Sequence, residues 1–289
     1  MSLTDIGYVK RLMASHGITF QKKFGQNFLI NPMVPERIAE ECGAATEDAI
    51  LEIGPGIGTM TQYLCEMYDK VVAVEIDRAL IPVLGETLAD YDNVTVIEGD
   101  IMKTDLPALF AEHFAEKNVT VCANLPYYIT TPILMLLLES GIPLDNITVM
   151  IQKEVADRLS AAPGSAEYGA VTASVNYYAE VEKLFNVSAG NFLPAPKVDS
   201  AVVRMRLYKD KPVKVENEEM LFRVIKSAFG QRRKTLLNAL SAGMGEFTKT
   251  ELSAAIAEAG FAETIRGERL SVAEFGHLSD VLWAYKQNK

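Results

Sequence analysis

Five short apolar, β-branched runs punctuate the first half of the chain: 50–53 (ILEI), 71–75 (VVAVE), 94–98 (VTVIE), 119–123 (VTVCA) and 147–151 (ITVMI). They recur about every 20–28 residues, and helical-looking segments lie between most of them. Continuous apolar strands alternating with helices predict a parallel sheet covered on both faces. The expected architecture is therefore α/β and doubly wound. Two more strands are predicted at 181–185 (VEKLF) and 201–208 (AVVRMRLY). The second alternates in polarity, as an antiparallel or edge strand does.

After 209–214 (KDKPVK) the texture changes. EEMLFRVIKSAF, KTLLNAL, TKTELSAAIAEAG and SVAEFGHLSDVLWAY read as helices, broken by Gly230, Gly243 and Gly260. This places a domain boundary near residue 208. Residues 1–208 form the α/β domain, with a basic N-terminal segment at 1–37, and 209–289 form a small all-helical domain.

With 289 residues, 49% of them hydrophobic and 23% charged, the chain can build real cores and is not a disordered polymer. The longest aliphatic stretch, 133–138, is too short to span a bilayer. The N-terminus has no apolar signal core with a small-residue cleavage site, so a cytoplasmic protein is expected. Cys42, Cys65 and Cys122 lie far apart without a CxxC or a nearby His, which fits reduced thiols and no metal site.

The formal net charge of −10 argues at first against a nucleic-acid partner, but its distribution changes that. Residues 1–37 carry +3, 38–150 carry −15, 151–206 are neutral and 207–289 carry +2. A polyanion responds to local potential, so charge alone decides nothing.

The loop after the first of the five runs reads E-I-G-P-G-I-G-T (52–59) and should lead into a helix at roughly 60–68. Glycines there let a ligand approach the backbone and leave amides at a helix N-terminus. The third glycine comes one position earlier than in a dinucleotide fingerprint, with Thr59 in the expected place. Such a loop alone is also compatible with a tight turn. Glu75 ends the second run, 21 residues after Gly54, where a carboxylate can take both ribose hydroxyls of an adenosine-containing cofactor. Asp100 follows the third run and can accept from an adenine amine. Each carboxylate alone reads equally as an ordinary strand-end residue. The three features together, at successive strand ends, favour a cofactor site.

The fourth run leads into A-N-L-P-Y-Y-I-T (123–130). This set suits methylation of a planar exocyclic amine. The adenine amino lone pair is delocalised into the ring, and a strong base is not the obvious remedy. Two acceptors can hold both N–H bonds and aim the lone pair at a sulfonium methyl. The Asn124 side-chain oxygen and the backbone carbonyl of Leu125 or Pro126 are such acceptors. Tyr127 can stack on the base, worth about 1–3 kcal/mol. Transfer is then a matter of alignment, which can supply on the order of 7 kcal/mol. Asn and Pro are also common turn formers, but four residues in this order after the fourth strand make a plain turn the weaker reading.

These residues resemble the ribosomal RNA adenine dimethyltransferases. The resemblance runs nearly the whole length: QKKFGQNFL (21–29), LEIGPGIGTMT (51–61), VAVEID (72–77), EGDIMK (98–103), NLPYYIT (124–130), FLPAPKVDSAV (192–202) and FGQRRKTLLNAL (229–240). It implies a Rossmann-like methyltransferase sheet, mostly parallel with one antiparallel strand near the end. It also implies S-adenosyl-L-methionine as methyl donor, S-adenosylhomocysteine as product and no metal. The implied substrate is a pair of adjacent adenosines in the 3′-terminal hairpin loop of 16S rRNA in the small ribosomal subunit. Each amine receives two methyl groups, late in subunit biogenesis. A monomer that engages neither DNA nor membrane is expected.

Carried over by position, the resemblance gives Gln26, Asn27 and Leu29 the task of closing over the donor. Gly54 and Gly56 face its methionine part, Glu75 holds the ribose, and Asp100 with Ile101 holds the adenine. Asn124 touches donor and target, within the catalytic group Asn124, Leu125, Pro126 and Tyr127. Phe192 closes the stack on the other face of the base, where the plain reading of that residue is a core aromatic. Lys22 and Lys23, with Lys10 and Arg11 ahead of them, form one basic patch. Arg232, Arg233 and Lys234 form a second, at the start of a helix expected over 231–242. Cations there oppose the helix dipole, a penalty that phosphate binding reverses. A solvated charge run is the plain reading, and the resemblance favours RNA.

Other functions compete. A large-subunit rRNA methylase of the antibiotic-resistance type shares the fold and a similar motif, but FGQRRKTLLNAL and the VDSAV context favour the small subunit. A DNA adenine methylase typically carries Pro-Pro-Tyr, which Leu125 breaks. A small-molecule methyltransferase lacks a reason for NLPY and the helical domain. A non-catalytic assembly factor would not need intact donor and target motifs.

Overall fold

The computed structural model describes residues 2–18, 26–115 and 117–288. Helix α1 (Ile6–Ser15), the two-residue strand β1 (Phe28–Leu29) and helix α2 (Met33–Glu40) lead into a regular alternation. Strands β2 (Ala49–Ile53), β3 (Lys70–Glu75), β4 (Val94–Glu98), β5 (Val119–Asn124) and β6 (Asn146–Gln152) are joined through α3 (Thr59–Met67), α4 (Ile81–Thr87), α5 (Leu106–His113) and α6 (Thr130–Glu139). There follow α7 (Lys153–Leu159), α8 (Ala170–Tyr178), β7 (Ala179–Val187), β8 (Phe192–Leu193) and β9 (Ser200–Leu207).

Among the described residues, one sheet has seven strands in the order β4-β3-β2-β5-β6-β9-β7. The pairs from β4 to β6 are parallel, and β9 runs antiparallel to β6. The sequence pattern explains these positions. Every residue of β2 is buried, as a central parallel strand covered on both faces requires, whereas β4 at the edge is only partly buried. β9 is antiparallel but interior, and β7 takes the edge. The order reverses between β2 and β5, so the carboxyl ends of these strands open a crevice.

The sequence pattern gave no hint of β1 and β8. They pair antiparallel, with Phe28 opposite Leu193 and Leu29 opposite Phe192. Strands this short have no measurable periodicity. α1, capped by Asp5, buries Val9, Leu12 and Met13 in a cluster with Phe28, Ile57 and Leu80.

The chain divides into two compact units: residues up to Ala156 with Val181–Leu207, and Asp157–Glu180 with the chain from Tyr208 onward. A limit falls at 207/208, where the sequence placed its boundary near 208, but the helical unit also takes Asp157–Glu180 from within the expected α/β domain. The reason is packing. Tyr168, Ala173 and Tyr177 are buried in one core with α9 (Glu218–Gly230), α10 (Leu236–Gly243), α11 (Lys249–Glu258) and α12 (Val272–Gln287). The Tyr168 hydroxyl donates to the Leu270 carbonyl at 2.9 Å. α9 buries Met220, Leu221, Val224, Ile225 and Ala228, a single stripe at helical spacing. Capping boxes at Thr248/Glu251 and Ser271/Glu274 start α11 and α12.

Candidate active site

β2 ends at Ile53 and the chain turns through Gly54, Gly56 and Gly58, all with positive φ, before α3 begins at Thr59. At Gly56 the requirement is doubled: φ is +63°, and a Cβ would stand 3.1 Å from the Phe28 ring. At Gly54 a Cβ would meet nothing within 4 Å, so the backbone there faces open space. That space is a cleft lined by Gln26, Asn27, Phe28 and Leu29, by Gly54, Pro55 and Gly56, and by Glu75 and Ile76. Asn124, Leu125, Pro126, Tyr127 and Phe192 line it as well.

The carboxylate at the end of β3 organises this loop. Glu75 is buried at 4% exposure. Its two oxygens accept from the amides of Gly56 at 3.0 Å and Asp77 at 2.8 Å. Burial raises its pKa, and the two amides pull it back. Asp77 in turn accepts from the Gln26 side chain at 2.8 Å, which ties the segment before β1 to the cleft.

At the end of β5 the Asn124 side-chain nitrogen donates to the Asn27 carbonyl at 3.3 Å. With the nitrogen engaged, the amide oxygen is its acceptor toward the cleft. The next turn separates two backbone carbonyls. Pro126 O already accepts from the Ile129 amide and the Thr130 hydroxyl, each at 3.2 Å. Leu125 is fixed by its own amide, which donates to Met150 O at 3.1 Å. Of the two acceptors left open by the sequence, Leu125 O is therefore the one its neighbours leave available. The Tyr127 hydroxyl meets Ser200 Oγ at 2.8 Å, which fixes the ring against the start of β9. Burial raises the Tyr127 pKa, with the Ser200 contact opposing.

Phe192 is 3% exposed and packs in a core cluster with Leu29 and Val34 while also lining the cleft. It is thus the core aromatic of the plain reading, placed where it also borders the cleft. Asp100 and Ile101 stand apart from the cleft lining, past the end of β4. Asp100 accepts from the Met102 amide at 3.0 Å and lies 3.4 Å from Lys103 Nζ.

Two cleft residues escaped the sequence reading. Glu52, within β2, is 1% exposed, and one of its oxygens has no hydrogen-bond partner. Burial pushes its pKa up to about 8; the Thr61 hydroxyl opposes this and the Glu75 charge adds to it. The Thr59 hydroxyl is also buried without a partner. A carboxyl inside a buried run beside a glycine loop was the available signal. Open space at Gly54 and unpaired polar atoms beside it are what a polar ligand at a helix N-terminus would satisfy.

The predicted basic patches fare differently. Lys22 and Lys23 lie outside the described residues. Lys10 and Arg11 are exposed on α1. The helix expected over 231–242 begins at Leu236, capped by Thr235, because the Thr235 hydroxyl accepts from the Asn238 amide. Arg232, Arg233 and Lys234 therefore occupy the turn before it, outside its first helical turn. Arg232 is committed internally: it binds the carbonyls of Ala166 and Tyr168 and lies 3.4 Å from Glu268. Arg233 and Lys234 are exposed.

Among the described residues no three His, Cys, Asp or Glu side chains gather as a metal site, and no helix is long and apolar enough to cross a membrane. The three cysteines are buried and unbridged.

A doubly wound sheet with one reversed strand beside its edge, and a glycine loop at its crevice, is the architecture of Rossmann-like methyltransferases. A model of the ribosomal RNA adenine dimethylase family matches residues 17–275. Ribosomal RNA small subunit methyltransferase A of Lachnoclostridium phytofermentans is 53% identical over 265 residues, 91% of each chain. The protein of that name from Streptococcus pneumoniae serotype 2 is 46% identical over 286 residues, 98% of each chain. A crystal structure of a dimethyladenosine transferase from Plasmodium falciparum aligns with a TM-score of 0.74 at 26% identity, covering 90% of this chain and 97% of that one. The 23S rRNA methyltransferase ErmE shares the fold, with a TM-score of 0.67 at 24% identity over 89% of this chain and 99% of its own. This chain belongs to the ribosomal RNA adenine dimethylase family.

Proposed function

We propose that this enzyme uses S-adenosylmethionine to dimethylate two adjacent adenosines in the 3′-terminal hairpin loop of 16S rRNA, four transfers in all. Membership of the family and the small-subunit relatives support the choice of substrate. What supports the chemistry is the turn after β5, which brings Asn124, Leu125 and Tyr127 to the lining of one cleft and holds the Asn124 side-chain nitrogen at the Asn27 carbonyl.

The residues of the cleft fit the donor. Gly54 and Gly56 would face its methionine part and Glu75 would take the ribose hydroxyls, while Asp100 with Ile101, past the end of β4 and outside the cleft lining, would have to reach the adenine from beside it. Gln26, Asn27 and Leu29 close over it, and Asn124 stands between donor and target. When bound, S-adenosylmethionine supplies an electrophilic sulfonium methyl.

The chain's own task is alignment. Asn124 Oδ1 and Leu125 O accept the two N–H bonds of the target amine, which directs its lone pair outward. Tyr127 stacks on the base from one face and Phe192 bounds the other. No residue needs to remove a proton first, since the methylated amine becomes acidic and loses its proton readily. After one transfer a single N–H remains, and either acceptor can hold it for the second.

The helical unit docks on the small subunit, with Arg233 and Lys234 at phosphates, as do Lys22 and Lys23 ahead of β1. The enzyme acts as a cytoplasmic monomer late in subunit biogenesis. Labelled donor offered separately to small and large subunits from cells lacking the modification tests the reading. Label on the small subunit alone supports it; label on the large subunit alone transfers the protein to the resistance-type activity.

A further inference from the structure

Large apolar side chains exposed to solvent are few among the described residues: Ile6, Met33, Ile76, Tyr128, Val198 and Tyr208. Ile76 lines the cleft. Tyr128 and Val198 stand on two separate segments that meet at Tyr127, which lines the cleft. Tyr128 follows Tyr127 directly and is 65% exposed. Val198 lies two residues before Ser200, whose hydroxyl meets that of Tyr127 at 2.8 Å. One hydrogen bond thus joins the segments that present both side chains.

Tyr127 and Ser200 carry the contact between the segments, while Tyr128 and Val198, 65% and 46% exposed, are presented to solvent. The second segment also bears a cation. Lys197 is exposed and forms no ion pair among the described residues. With Gln152, Lys153 and Val198 it lines a shallow depression, whose acidic members are Glu154 and Asp199. Asp199 is committed locally: its carboxylate accepts from the Ala189 amide at 2.9 Å and its carbonyl from the Lys153 amide at 3.0 Å. These bonds hold Lys197 and Val198 on a fixed backbone.

We propose that this ledge receives the RNA strand immediately flanking the target adenosine, with a neighbouring base stacked on Tyr128 and a backbone phosphate at Lys197. The inference rests on the function proposed above and extends it from the target base to its neighbour. Single-stranded RNA is the occupant that the chemistry fits. An exposed aromatic ring next in sequence to Tyr127 and a cation on backbone anchored at Asp199 match a base-and-phosphate repeat. The depression with Val198, and Tyr128 outside it, are small against the roughly 800 Å² per partner of a stable protein interface. The residues 38–150 carry a net charge of −15, so a polyanion reaching the cleft needs local cations of this kind.

The test compares Tyr128→Ala, Tyr128→Phe and Lys197→Ala with wild type, using small subunits and an rRNA fragment containing the target loop. Tyr128→Ala should raise the KM for RNA roughly tenfold or more, with donor affinity by calorimetry unchanged. Tyr128→Phe keeps a stacking face and should restore it. Lys197→Ala should weaken RNA binding and reduce the salt dependence by about one counterion. An active wild type with unaltered Tyr128→Ala and Lys197→Ala overturns the inference alone. Variants impaired on subunits but normal on the bare fragment assign the ledge to a ribosomal protein and also overturn it. A wild type that leaves the small-subunit rRNA unmethylated overturns the functional reading, and this inference with it.

Discussion

The side-chain nitrogen of Asn124 donates to the backbone carbonyl of Asn27 at 3.3 Å, across 97 residues of chain. This bond fixes the sense of the amide that faces the cleft. The segment before α2 therefore orients a residue at the end of β5 and leaves its amide oxygen as the free acceptor of that side chain.

Asn124→Ala removes that acceptor. The rate of methyl transfer should fall by roughly 100-fold or more, the scale on which misalignment acts. The fold should survive, since Asn124 is only half-buried. Single-turnover kinetics together with a melting curve check both parts.

Glu75→Gln and Glu75→Ala should behave differently. The glutamine keeps an acceptor for only one of the amides of Gly56 and Asp77 and turns its NH2 toward the other, so donor affinity falls and Tm drops by less than in the alanine. The alanine strands both amides, at about 1–3 kcal/mol for each buried unpaired group, and should lower Tm as well. Calorimetric titration with donor and thermal unfolding of each variant separate the two effects.

Glu52 makes stability depend on pH. Its pKa in the folded protein is raised from 4.5 to about 8 by burial, so the folded state holds a proton that the unfolded state releases. That contribution is fully present below about 4.5 and is lost as pH rises through about 8. Glu52→Gln should flatten this slope, so urea unfolding at pH 5.5 and 8.5 should differ less in the variant than in wild type. An equal or steeper slope in the variant contradicts the assignment.

The basic turn before α10 should split by residue. Arg232→Ala strands the carbonyls of Ala166 and Tyr168 and should lower the stability of the helical unit. Arg233→Ala with Lys234→Ala should leave Tm unchanged and weaken subunit binding, reducing the salt slope by about two. Affinity measured across a salt series, beside melting curves, checks this.

The parts legible in the sequence were those where a periodic element ends in a chemically specific turn. The run ending at Glu75 and the one leading to Asn124 each placed a polar group at a strand end, and both line the cleft. The β1–β8 ribbon was invisible because two residues carry no period, yet it sets Phe192 opposite Leu29. Glu52 lies within a run read as apolar; that its neighbours leave one oxygen unpaired is a tertiary fact. Membership of Asp157–Glu180 in the helical unit depended on where Tyr168 and Tyr177 find a core, which local pattern does not encode. Arg232 looked like its neighbours Arg233 and Lys234, and only the carbonyls it binds set it apart.

The central claim is that the Asn124–Tyr127 turn presents adenine amines of the small-subunit rRNA for double methylation. Purified enzyme, donor and unmodified small subunits, followed by nuclease digestion and mass spectrometry of the fragments, test it directly. The account predicts N6,N6-dimethyladenosine at two neighbouring positions near the 3′ end of 16S rRNA, and its loss with Asn124→Ala. Unmodified adenosines at those positions with the wild-type enzyme, or undiminished dimethylation with the variant, would contradict it.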